Sequence, residues 1–146
     1  MKVVVQRVKN ASVTINNKVT GSIENGLLIL VGIHVSDTKK EVDWCCRKIP
    51  TLRIFEDDEG KMNRSAEDVN GGILVVSQFT LYGNANKGTR PSFIEAAKPD
   101  KAEPLYDYMI DLLKRDSGLQ IESGEFGAMM DVTFTNSGPV TLILEK

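Results

Sequence analysis

The chain has 146 residues, the size of one ordinary domain and too short for two. Hydrophobic residues make up 41% and charged residues 26%, which excludes a disordered chain. A domain this long buries roughly two-thirds of the surface its unfolded form exposes, so it builds a full core without disulfides or metals. The net charge of −2 counts against a nucleic-acid partner, and Lys87-Gly88-Thr89-Arg90 with Lys98 and Lys101, the best local patch for RNA phosphates, reads first as a solvated loop with ordinary surface charge.

Val3, Val5 and Arg7 alternate with Val4, Gln6 and Val8 at the period of a strand, and residues 12–15 alternate again. Asn16-Asn17 reads as a tight turn into a second strand over residues 18–23, completing a hairpin. Asn25-Gly26 is another turn signal, and the continuous apolar run over residues 27–33 suggests a strand buried on both faces. Thr38-Lys39-Lys40-Glu41 matches a capping box, in which a hydroxyl and a carboxylate satisfy free amides at a helix start. Val42, Cys45, Cys46 and Ile49 follow at helical spacing, and Pro50 disfavours helix at the residue before it. The two cysteines are adjacent, fit neither a zinc nor a redox spacing, and fall on the buried stripe, so they read as small core residues.

Residues 52–55 suggest a short strand, and residues 56–61 an exposed acidic turn without the ligand order of a calcium loop. Gly71-Gly72 leads into a buried strand over residues 73–76, with no Gly-Lys-Ser/Thr to grip a phosphate. A loop rich in Gly, Asn and Lys runs from Tyr82 to Pro91. Leu105, Tyr108, Met109, Leu112 and Leu113 then mark an amphipathic helix ending near Gly118. Val132 and Phe134 alternate with Thr133 and Thr135, and Val140, Leu142 and Leu144 with Thr141 and Ile143, so Pro139 marks a bend, bulge or edge between two strands. The expected architecture is one α/β domain over residues 1–146, a mostly antiparallel, barrel-like sheet core with two main helices. The apolar runs are far short of a membrane span, and the N-terminus becomes charged too early for a signal peptide. A reduced, cytoplasmic protein without a membrane partner is expected.

The familiar catalytic kits are missing. His34 is the only histidine, and it follows a buried strand, where a hydrogen-bonded structural imidazole is the favoured reading. No G-x-S-x-G elbow or H-E-x-x-H helix occurs, and neither a metal nor a cofactor is expected. Ser77-Gln78-Phe79-Thr80 places three polar side chains where an apolar strand ends, a position suited either to the mouth of a pocket or to a strand-end turn. Asn136-Ser137-Gly138-Pro139-Val140-Thr141 breaks a strand pattern, and such breaks gather at functional or strained sites. Residue chemistry alone carries the reading this far, to a domain with two candidate pocket segments.

Both segments resemble those of the D-aminoacyl-tRNA deacylase family. Ser77-Gln78-Phe79-Thr80-Leu81 is similar to its S-Q-F-T-L motif, and residues 136–141 to its N-x-G-P-x-T motif. Gln6-Arg7-Val8, Leu52-Arg53-Ile54-Phe55, Gly88-Thr89-Arg90-Pro91-Ser92-Phe93 and Gly124-Glu125-Phe126-Gly127-Ala128-Met129-Met130 extend the likeness over the whole chain, with Pro50 outside the family's pattern. The resemblance implies a homodimer with active sites at the subunit interface, acting on the acceptor end of aminoacyl-tRNA. It implies a cis Gly138-Pro139 bond whose carbonyls exclude an L side chain while D-residues and achiral glycine fit. A rigid steric block separates the two hands more sharply than a hydrophobic pocket can. Arg7 would hold that motif in place.

Ser77, Gln78, Phe79 and Thr80 would form the catalytic segment, and Phe126, Gly127, Ala128, Met129, Asn136 and Thr141 would contact substrate. Two mechanisms are open. Thr80 acts as a nucleophile or orients water, although no base is at hand to activate it. Alternatively, backbone amides near Phe79 to Leu81 cradle the carbonyl oxygen while the terminal ribose hydroxyl of the tRNA assists. The second is favoured, because the ester is already activated. Gripping only the acceptor end needs few phosphate contacts, so a shallow salt dependence is expected. The rival readings are a non-catalytic dimeric module that binds nucleotides or RNA ends, a hydrolase of another small ester using Ser77 or Thr80, and a purely structural protein.

Overall fold

A computed structural model describes all of residues 1–146. Strand β1 (Lys2–Ile15) is a single long strand where the alternation suggested two stretches; exposed Lys9 and Asn10 interrupt the pattern but not the backbone. Asn16 and Asn17, both at positive φ (49° and 63°), turn the chain into β2 (Lys18–Ile23). Asparagine tolerates this left-handed geometry, which matches the twist of a two-residue hairpin. Strand β3 (Gly26–Gly32) pairs antiparallel with residues 2–8 of β1, so β2 and β3 lie end to end along one edge of it.

Helix α1 (Lys39–Lys48) starts where the capping box placed it. The Thr38 hydroxyl accepts from the Lys40 N–H at 3.3 Å, and the Glu41 carboxylate accepts from the Thr38 N–H at 2.7 Å. Residues 52–54 do not form the expected strand, because the Leu52 and Ile54 amides bond locally to Ile49 and Leu52 carbonyls. Pairing begins only at β4 (Phe55–Glu56), against β5 (Met62–Arg64), across a turn in which Asp57 accepts from the amides of Glu59 and Lys61.

Strand β6 (Gly72–Ser77) runs parallel to β3, and β7 (Ile121–Ser123) runs parallel to β6. Parallel neighbours need crossovers, which α1 and α2 (Pro99–Asp116) supply. The sheet is therefore mixed, with every β1 pairing antiparallel. It nearly closes where β2 approaches β7: a Cβ at Gly21 would lie 2.8 Å from the Ser123 carbonyl oxygen. This barrel-like sheet with two helices agrees with the expected architecture.

Both faces of β3 and β6 are buried, as their unbroken apolar runs require. Leu27, Ile29, Ile73 and Val75 pack with Val42, Ile49, Tyr106 and Met109 of the helical layer. Leu28, Leu74 and Val76 pack inside the barrel with Val8, Val13 and Ile23. Strand β8 (Asp131–Glu145) lies on the other edge of β1 and pairs with nothing else, leaving its outer edge open. No helix is long and apolar enough to cross a membrane.

Cys45 and Cys46 are free thiols within the core, as their helical spacing predicted. Burial pushes their pKa values up to about 11 and about 12. The folded chain thus keeps these protons longer than the unfolded chain, whose thiols ionise at about 8.5. The stability they contribute is complete at neutral pH and is lost as pH rises from that value through 11 and 12. Urea midpoints measured from pH 7 upward are expected to hold level and then fall; a level profile up to pH 11 would place the thiols in water.

Candidate functional site

The two motif segments owe their positions to how their strands end and bend. Strand β6 leaves the sheet at Ser77, where the Gln78 amide makes a last sheet-like bond to the Val31 carbonyl at 2.8 Å. The chain then tightens into a 3₁₀ turn over Phe79–Tyr82, which the sequence did not signal. Its first closing bond runs from the Leu81 N–H to the Gln78 carbonyl, so the Phe79 and Thr80 amides are not consumed by the turn. The Gln78 amide nitrogen lies 2.5 Å from the Thr80 hydroxyl oxygen. That bond occupies a Thr80 lone pair and fixes both side chains over the turn. Phe79 and Thr80 are exposed.

The second segment bulges out of β8. Gln6 pairs with Thr141 and Val8 with Asn136, so Arg7 alone faces the four residues 137–140. The bulge closes on itself: Asn136 donates to the Thr141 hydroxyl at 3.0 Å and accepts from the Val140 amide at 3.3 Å. Gly138 sits at φ +118° and is joined to Pro139 by a cis peptide bond. Arg7 lies beneath and is 7% exposed. Its Nε donates to the Ser137 carbonyl at 3.2 Å and its Nη1 to the Ile54 carbonyl at 2.7 Å, while its Nη2 lies 3.6 Å from Glu56. Gln6 adds a longer bond to Thr141 at 3.5 Å. Gln6 and Ile54 lie in stretches that carry the family likeness, but their contacts with the bulge and its Arg7 brace, and the part of Glu56, had no local signal, because residues 54 and 56 are brought to Arg7 only by the fold.

The third expected segment, Phe126, Gly127, Ala128 and Met129, follows β7. It is anchored beside β6 by the Gly124 N–H, which donates to the Val75 carbonyl at 3.0 Å. Phe126 packs on Tyr106 with ring centroids 5.7 Å apart, and the Tyr106 hydroxyl donates to the Val75 carbonyl at 2.8 Å. Gly127 turns at φ +76°, and Met129 is 92% exposed. The ends of β6 and β7 therefore carry two of the three segments together.

The bulge is elsewhere. Ser77 aligns with Val31 on β3 and so with Val3 on β1, while the bulge lies opposite Arg7 and on the next strand over. Four residues along the strand are roughly 13 Å, and three strand spacings roughly 14 Å. Within one chain the two motifs form separate, exposed patches. Two cavities of about 370 and 460 Å³ lie beside His34 and between α1 and α2, and neither is lined by a motif residue. His34 itself bonds Ser36 at 2.7 Å and packs on Tyr82, a structural placement.

Comparison with known proteins places these features in a family setting. The family profile described as D-Tyr-tRNA(Tyr) deacylase matches residues 4–145. A protein of Brevibacillus brevis named D-aminoacyl-tRNA deacylase is 58% identical over 146 residues, covering 100% of both chains. One of the same name from Chlorobaculum parvum is 55% identical over 146 residues, covering 100% of this chain and 98% of that one. Among solved structures, the c-Myc DNA Unwinding Element Binding Protein is 43% identical with a TM-score of 0.93, over 100% of this chain and 99% of that chain. A probable eukaryotic D-amino acid tRNA deacylase, 19% identical over 98% of this chain and 97% of that chain, shares the fold with a TM-score of 0.85.

Proposed function

The chain belongs to the D-Tyr-tRNA(Tyr) deacylase family, a family of hydrolases, and we infer that it removes D-amino acids from tRNA at a site built from two copies of the chain. The observation that carries the two-copy reading is the separation of the motifs. The Ser77–Thr80 patch is open and incomplete, and the Gly138-Pro139 bulge projects from a different strand; a second copy supplies to each patch what its own chain holds out of reach. The open outer edge of β8 supports the same reading, as do the exposed Phe134, Ile143 and Met129. The free, buried thiols and the tRNA substrate suit a cytoplasmic enzyme.

In this site the ester carbonyl of the aminoacyl-tRNA lies against the Phe79 and Thr80 amides, which bind the oxygen as it gains negative charge. Water adds to the carbonyl carbon, and the ester bond to the tRNA breaks, giving the free D-amino acid and the tRNA hydroxyl. The neighbouring ribose hydroxyl of the substrate assists in moving the proton. The partner's bulge presents backbone carbonyls where an L side chain would point, so D-residues and glycine are accepted. Phe126, Ala128 and Met129 flank the terminal nucleoside, with Asn136 and Thr141 holding the bulge in shape and Arg7 bracing it from below.

Thr80 has Gln78 as its partner and no base, so its hydroxyl is expected to position rather than attack. Thr80→Val should therefore lower turnover by no more than about tenfold, the cost of one hydrogen bond. Complete loss of turnover with tRNA binding intact would make Thr80 a participant in the chemistry. The defining experiment follows hydrolysis of matched D- and L-tyrosyl-tRNA by catalytic amounts of protein. Rapid loss of the D-ester with the L-ester spared is the expected result. A second reading, a nucleic-acid-end binding module without hydrolysis, draws on the DNA-binding name of the 43% identical solved structure. Binding without loss of either ester would select it.

A further inference from the structure

The loop that follows the 3₁₀ turn carries chemistry that ester hydrolysis does not use. From Leu81 to Ile94 there are two cations, Lys87 and Arg90, and no acid, in a chain of net charge −2. Asn84 and Ser92 exchange both backbone hydrogen bonds, at 2.8 and 2.9 Å, which closes residues 84–92 into a projecting loop. Gly88 turns its tip at φ +66° with open space around it. Residues 83–95 are all exposed. Lys87 and Arg90 enter none of the chain's ion pairs, so their charge faces water unspent.

At the foot of the loop, Phe93 meets Phe79 edge to face, with ring centroids 5.2 Å apart at 71°. Burial in the core would explain such a pair, but Phe79 is 57% and Phe93 37% exposed. Open aromatic faces next to unpaired cations are the combination that single-stranded nucleic acid selects: rings accept bases by stacking, and cations follow the phosphates. The order along the surface also fits, because Phe93 at the foot of the loop touches Phe79, which belongs to the Ser77–Thr80 patch.

We propose that this loop is the docking surface for the single-stranded 3′ end of the tRNA, with Phe93 stacking a base that precedes the terminal nucleoside and Lys87 and Arg90 meeting the phosphates on either side. The assignment rests on the deacylase reading of the adjacent patch and adds the means by which the substrate's strand reaches it. It also reconciles an acidic protein with an RNA substrate. Two phosphate contacts suffice when only a short strand is held.

The test compares two substrates, D-tyrosyl-tRNA and the 3′ D-tyrosyl ester of adenosine, which has no phosphates and no preceding base. Lys87→Ala combined with Arg90→Ala is expected to raise KM for the tRNA roughly tenfold, with kcat and the rate on the adenosine ester held. The salt dependence of tRNA binding should become shallower by about 1.4 in log–log slope, 0.7 for each lost contact to a single strand. Phe93→Leu should raise the same KM about tenfold without changing that slope. A tRNA KM and salt slope equal to wild type in the double variant would overturn the surface, as would equal losses on both substrates. If the wild-type protein hydrolyses neither ester, the deacylase reading itself fails and the docking surface goes with it.

Discussion

Gly138→Ala is expected to lower kcat/KM on D-tyrosyl-tRNA by about a hundredfold or more while leaving the protein folded. A Cβ at this position would lie 2.8 Å from Arg7 Nη2 and 2.9 Å from Val140 Cγ2, and φ of +118° is one that side-chain-bearing residues rarely adopt. Relief has to come from the bulge, because Arg7 is fixed from below by the Ile54 carbonyl at 2.7 Å. A shift on the order of 1 Å in groups that line a reacting centre costs about a hundredfold in rate. The strained φ should lower global stability by about 1–3 kcal/mol, which leaves the protein folded, since Gly138 and Pro139 are exposed and lie outside both core clusters. Ser137→Ala is the control: Arg7 takes the Ser137 backbone carbonyl, so the side chain is dispensable. Initial rates on the D- and L-esters, with thermal midpoints for both variants, decide the matter. Wild-type kcat/KM in Gly138→Ala would remove the bulge from the active site.

The largest effect on folding is expected from Gly26→Ala. Its Cβ would drive into the Gly72 carbonyl and stand 2.7 Å from the Gly72 nitrogen, backbone against backbone across the β3–β6 pair. No side-chain rotation can relieve that contact. Separating the strands would open the parallel junction between two largely buried strands, so a loss of about 3 kcal/mol or more is expected. Gly60→Ala is the comparison, at φ +76° with nothing within 4 Å of the new methyl, and should cost only about 1 kcal/mol. Urea midpoints separate the two. Equal midpoints would show that β3 and β6 have room to part.

Asn25-Gly26 illustrates where the sequence speaks and where it is silent. The dipeptide signals a turn, and a turn is there; that Gly26 must also let a second glycine approach is a fact about residue 72, invisible in local pattern. Local signals were legible throughout: the Thr38 to Glu41 cap, the Cys45-Cys46 stripe, the Asn16-Asn17 hairpin, the unbroken apolar runs of β3 and β6. Three elements escaped because they are too short to show a period, the three residues of β5, the three of β7 and the 3₁₀ turn at Phe79. Residues 52–54 have strand composition but spend their amides on local bonds. The sequence around Pro139 signals a bend, bulge or edge, and the structure has a bulge there inside one continuous strand. The site was legible as motifs, Ser77 to Thr80 and Asn136 to Thr141, but not as an arrangement. Register across four strands places them apart, and nothing in either segment encodes the other's position.

The partnership of β1 and β8 also has a consequence in time. Residues 2–14 are made well before their partners, residues 131–145, so the longest ladder of the fold is also its least local. Pairing of this kind carries the loop-closure cost of nearly the whole chain and belongs with slow, high-contact-order folding. Until β8 is made, β1 presents a long bare edge to any other nascent chain, and the Arg7 guanidinium has no bulge to support. A ribosome stalled between the two motif segments would thus hold a chain with its Phe79–Tyr82 turn already made and its Gly138-Pro139 bulge still missing.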